Sequence, residues 1–153
     1  MAYRQERRQK LGGSLPHRRT DYATLKIPSL DAFKGQLEGP GERQISTTMA
    51  FVRILTTLVR DKNLGSRVVP IVPDESRTFG MEGMFRQLGI YSPSGQLYQP
   101  EDHDQLMFYR EDKKGQVIQE GINEAGAMSS WIAAATSYSN HNLPMIPFYV
   151  FYS

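Results

Sequence analysis

No cysteine occurs among the 153 residues, which excludes disulfides, thiolate nucleophiles and cysteine-held metal centres. The same lack fits a reducing, cytoplasmic setting. Histidine is nearly as scarce, and His17, His103 and His141 are too scattered along the chain to suggest a ligand cluster. No apolar run approaches the roughly 18 residues that a membrane-spanning helix needs. The N-terminus is polar and basic and lacks the apolar segment of a secretory leader. The glycine-rich GxGxxG and Walker phosphate loops are missing, as is the HExxH zinc motif.

Net charge is only +2, but it is unevenly placed. Arg4, Arg7, Arg8, Lys10, Arg18 and Arg19 crowd the first twenty residues against one acid, Glu6. Such an arm attracts phosphate. No zinc-finger, helix-turn-helix or aromatic RNA-binding pattern accompanies it, so it reads as a solvated tail and no nucleic-acid partner is expected.

The length suits one domain that buries about 70% of its unfolded surface. Residues 1–44 read as an extended arm or linker, because Gly12, Gly13, Pro16, Pro28, Gly35, Gly39, Pro40 and Gly41 interrupt every periodicity. One short helix is expected near residues 30–37, capped by Ser29. The folded part, residues 45–153, opens with Ser46 as a helix cap, followed by Met49, Val52, Leu55, Leu58 and Val59 at helical spacing. VVPIV is a continuous apolar run, typical of a strand covered on both faces. Its prolines point to an edge or a short strand.

Phe79, Met84, Phe85 and Leu88 outline a second helix closed by Gly89. Residues 90–115 read as turns, residues 117–118 as a short strand and residues 122–139 as a helix. PMIPFYVFYS reads as a second buried strand. Helices and strands alternate, which predicts an α/β fold with a mainly parallel sheet flanked by helices. The chain stops at the end of an apolar strand with no helix to cover it, so a piece of a larger unit is expected.

Ligands of open α/β sheets gather beyond the carboxyl ends of the strands. Asp74 and Glu75 lie at one such end, residues 120–124 near another, and residues 149–153 at a third. Glu124 has two readings. It is a first-turn acid favoured by the helix dipole by about 0.3–1 kcal/mol, or a proton partner for something bound. Neighbouring strand residues face opposite ways, so at most one of Asp74 and Glu75 meets a shared pocket. Arg77 has two readings, an anion ligand at the start of the second helix or, favoured, half of a structural ion pair. Tyr138, Phe148, Tyr149, Phe151 and Tyr152 read as core aromatics.

Four stretches are long enough to carry a resemblance: ISTTMAFVRILTTLV, VPIVPDESRTFGMEGMFRQLGIYSPSGQLY, YREDKKGQVIQEGINEAGAMSSWIAAATSYS and NLPMIPFYVFYS. Together, over residues 7–153, they closely resemble the homodimeric bacterial decarboxylating components of pyruvate dehydrogenase. That family uses thiamine diphosphate and belongs to the transketolase-like superfamily. The resemblance implies the first part of its middle, pyrimidine-binding domain.

In GINEAG it implies that Glu124 hydrogen-bonds a ring nitrogen of the aminopyrimidine, favouring the imino tautomer that draws a proton from the thiazolium carbon. Such an acid has to be poorly hydrated, and a helix start flanked by Ala125 and Gly126 is expected to provide a dry pocket. Ile122 matches the apolar wedge that bends the cofactor. Glu75, with Asp74, matches acids of the active centre, and Tyr152 a tyrosine near the substrate carboxyl.

The implied substrate is pyruvate, and the implied partners are the lipoyl domains of an acetyltransferase core and a second copy of the chain. The family's diphosphate and Mg2+ motif is absent from these residues. The isolated chain is therefore expected to be inactive. The alternative is a non-catalytic oligomerisation or binding module.

Overall fold

The computed structural model describes residues 1–13, 21–73, 76–101, 103–104 and 109–151. Helix α1 spans Ala2–Lys10, α2 Lys34–Leu37 and α3 Thr47–Arg60. Strand β1 (Val68–Val72) and helix α4 (Glu82–Leu88) come next. Three two-residue strands follow: β2 (Ile90–Tyr91), β3 (Glu111–Asp112) and β4 (Ile118–Gln119). The chain then forms α5 (Glu124–Ala135), α6 (Ser137–His141) and β5 (Ile146–Tyr149). The fold is α/β, as the alternation of elements predicts.

Helix α3 starts where its cap predicts, since the Ser46 hydroxyl accepts from the Met49 N–H at 3.1 Å. Its buried stripe is Val52, Leu55 and Val59. These pack with Val68 and Val72 of β1, while Val69 and Ile71 pack on Ala127 of α5. Alternation along a strand therefore gives β1 one face for each helix, so a run of apolar residues is needed. The fully buried set, including Leu55, Leu64, Ile71, Met81 and Val117, is gathered around this central strand.

The prolines mislead about where β1 lies. It occupies the middle of a parallel sheet in the order β4–β1–β5. The Ile71 carbonyl accepts from Val150 N at 3.1 Å on the β5 side, and the Val72 carbonyl from Glu120 N at 3.1 Å on the other. By this alternation the Pro70 nitrogen turns towards β4, where pairing begins only at Ile71. No ladder bond is lost there. The Gln116 side chain serves this stretch instead, donating at 2.6 Å to both the Gly65 and Val68 carbonyls. Gln116→Leu should therefore strand two carbonyls and destabilise the chain by roughly 1–3 kcal/mol in urea denaturation. An unchanged midpoint would show that water replaces the amide freely.

Five further expectations need correction. The arm is not wholly extended, since α1 forms ahead of the first glycines and carries a Lys10–Glu6 pair at 2.7 Å. Ser29 stands at the start of the helical turn Leu30–Phe33, yet its side chain makes no capping bond. Residues 90–115 include a parallel pair, Ile90 with Glu111 and Tyr91 with Asp112, which two-residue strands are too short to announce by periodicity. The helix expected over residues 122–139 breaks at Thr136 into α5 and α6. Strand β5 is half-buried rather than buried, because it lies at a sheet edge.

Candidate functional site

Parallel pairing puts the carboxyl ends of β4, β1 and β5 side by side, with Val72 opposite Gln119 and Ile71 opposite Tyr149. The turn leaving β4 leads straight into α5. Gly121 takes the left-handed conformation at φ 71°, where a side chain would be strained. Asn123 then caps the helix, its Oδ1 accepting from the Gly126 N–H at 3.0 Å. A Cβ on Gly126 would stand 2.6 Å from Asn123 Nδ2 and 3.3 Å from Glu120 Oε2, so this position has room only for hydrogen. Glu120, half-buried at the end of β4, accepts the Ser130 hydroxyl. Strand end and helix are thus tied together by side chains.

Glu124 is the first residue of α5, where the helix dipole favours a negative charge. Its side chain is exposed and makes no hydrogen bond or ion pair with any described residue. This corrects the expectation of a dry pocket. Ala125 and Gly126 keep the helix start slim, but no described residue covers the carboxyl. Ile122 is 79% exposed beside it. Down the same helix Met128, Trp131 and Ile132 are exposed, and the Trp131 indole N–H donates to the Pro147 carbonyl at 3.2 Å.

Tyr149, read from sequence as a core aromatic, ends β5 beneath this mouth. Its ring packs on Ala127, Val69 and Ile71 and stacks on Phe151 with centroids 5.1 Å apart. Its hydroxyl oxygen is sealed from solvent and has no partner among the described residues. Burial first, and then the nearby charge of Glu124, hold the phenol above its ordinary pKa. Glu124 is therefore close enough to the end of β5 for its charge to be felt there. Sequence reasoning placed Glu120 and Tyr149 at strand ends without giving either a role, and it gave Ser130 none; only the Asn–x–x–Gly spacing of residues 123–126 carries a visible capping signal.

A second polar group lies near the β2–β3 pair. The hydroxyls of Tyr98 and Tyr109 both donate to Glu111 Oε1 at 2.8 Å, and the Glu111 N–H donates to Gln96 Oε1 at 3.0 Å. Burial, then its bonds with Tyr98 and Glu111, hold the Tyr109 phenol far above its ordinary pKa. Arg77 is exposed and forms no ion pair with any described residue, against expectation. Asp74, Glu75 and Tyr152 lie outside the described residues. Among those described, no group of three metal-ligating side chains comes together, and no helix is long and apolar enough to cross a membrane.

Residues 25–153 match the family model of the pyruvate dehydrogenase E1 component middle domain. The chain belongs to the pyruvate dehydrogenase E1 family. It is 69% identical over 151 residues to the pyruvate dehydrogenase E1 component of Pseudomonas aeruginosa, covering 99% of this chain and 17% of that protein. Identity to the E1 component of Cupriavidus necator is 64%, over 100% of this chain and 17% of the relative. To that of Escherichia coli K12 it is 57%, over 99% and 17%. The chain thus spans about a sixth of the length of these E1 relatives and corresponds to their middle domain.

Proposed function

We propose that this segment forms the aminopyrimidine-side wall of a thiamine diphosphate site in a full-length E1 component. The activity assigned to that whole protein is oxidative decarboxylation of pyruvate, with the acetyl group passed to lipoyl groups of an acetyltransferase core. The observation that carries the reading is the placement of Glu124. A carboxyl at a helix start, beyond three parallel strand ends, meets the general position of ligands in such sheets. Its neighbourhood also suits a flat, apolar-faced heteroaromatic ring. Ile122 offers it an uncovered apolar side chain.

Thiamine diphosphate, when bound, supplies the electron sink for loss of carbon dioxide. Glu124 would hold and return a proton at a ring nitrogen, and Ile122 would press on the cofactor to bend it. Glu75 with Asp74 would line the reaction centre, and Tyr152 would lie near the substrate carboxyl. The diphosphate and Mg2+ ligands are assigned to the preceding domain, and the complete site to a homodimer in the cytoplasm.

The 153-residue chain then holds half a site. Each 1.4 kcal/mol of lost contact is about a tenfold loss of affinity. Calorimetric titration with thiamine diphosphate and Mg2+ should show no saturable binding to this chain and clear binding to the full-length protein. Tight binding to the chain, or pyruvate decarboxylation by it, would overturn the half-site assignment.

A further inference from the structure

The end of β5 holds a donor that the chemistry above leaves unused. Along this strand Phe148 turns to the α3 side, where its ring lies 5.9 Å from Phe51, while Tyr149 turns to the α5 side. Ala127, fully buried, fixes the ring against the first turn of that helix. The ring is held on both sides, by this contact and by the stack on Phe151, so the hydroxyl has little freedom to seek water.

Native proteins rarely leave a sealed hydroxyl unpaired. Here the Tyr149 oxygen has no partner among the described residues, and Glu124, at the mouth above it, has none either. One group is a buried donor and the other an exposed acceptor. Both lie where β5 ends and α5 begins.

We propose that Tyr149 is a positioning residue for Glu124, its phenol donating to the carboxyl once the rest of the E1 chain covers the mouth of α5. Covering strips water from Glu124, and a desolvated carboxylate has to be met by donors. Tyr149 provides one from a fixed direction. A single anchored oxygen leaves the other facing outward, which orients it for the ring nitrogen. The phenol keeps its proton through the range in which carboxylates titrate, so it donates throughout. This inference rests on the role proposed for Glu124.

The test uses full-length E1 carrying this segment, with Tyr149→Phe, Glu124→Ala and the double variant. Thermal midpoint, thiamine diphosphate affinity by tryptophan quenching, and kcat and KM for pyruvate are measured on each. Tyr149→Phe should keep its midpoint, weaken cofactor binding a few-fold and lower kcat about tenfold with KM unchanged, as loss of one charge-assisted hydrogen bond implies. In the Glu124→Ala background the same change should alter neither affinity nor kcat.

Equal losses in both backgrounds, or none in either, would overturn the positioning role. A drop in midpoint with KM and kcat altered together would reduce Tyr149 to packing. If Glu124→Ala alone leaves affinity and kcat unchanged, it is the role of Glu124 that fails, a result distinct from the others.

Discussion

Glu124→Ala in the full-length E1 component should lower the rate of pyruvate decarboxylation by about 10²–10⁴-fold, the usual worth of a positioned proton-transfer group. The protein should stay folded. Glu124 is exposed and makes no hydrogen bond or ion pair among the described residues, so its removal breaks no packing. What it contributes to stability in this chain is a first-turn charge worth about 0.3–1 kcal/mol, and α5 retains its Asn123 cap. A large fall in rate with little change in thermal midpoint therefore separates the two readings of this acid. Glu124→Gln refines the result, since the amide keeps the shape and loses the exchangeable carboxyl proton. A variant with unimpaired turnover would remove Glu124 from the chemistry and leave it as an ordinary helix-start acid.

Ile71→Ala should destabilise the 153-residue chain by about 3–5 kcal/mol, in the upper part of the range for such truncations. Ile71 is fully buried on the central strand and packs on Ala127, Ile118, Met145 and Tyr149. Neighbouring strands pin β1 on both edges, through Val150 N to Ile71 O on one side and Glu120 N to Val72 O on the other. The cavity left by the truncation cannot collapse easily. Urea denaturation should show the midpoint falling by about 1–2 M, given slopes of a few kcal/mol per molar. Ile132→Ala is the matched control, because Ile132 lies half-exposed on α5 and its loss should cost about 0.5 kcal/mol or less. Similar costs at the two positions would mean that α5 does not lie on the sheet as described.

The exposure of Glu124 also bears on its proposed chemistry. A carboxyl in water exchanges protons with solvent, whereas one that shuttles a proton to a ring nitrogen has to be shielded. The slim start of α5, with Gly126 wedged against Asn123 and Glu120, permits close approach from outside. It does not itself exclude water. The chain spans 17% of the length of its Pseudomonas aeruginosa relative, so on the proposed reading the shielding has to come from outside these residues.

Local pattern was enough for the Ser46-capped α3, the apolar β1, the α4 stop at Gly89 and the α/β order of elements. These depend on near neighbours in the chain: a cap and its third N–H, a 3.6-residue stripe, a run of β-branched residues. Quoted motifs were likewise enough for membership of the E1 family, while the roles of Glu124 and Ile122 stand as proposals. Where β1 sits was decided only by tertiary pairing, because a proline is tolerated centrally when its missing N–H faces an unpaired stretch. The exposure of Glu124 and the unpartnered Tyr149 hydroxyl were decided there too. Whether a side chain is dry, or a phenol satisfied, depends on what residues far along the chain bring beside it, and no local spacing encodes that.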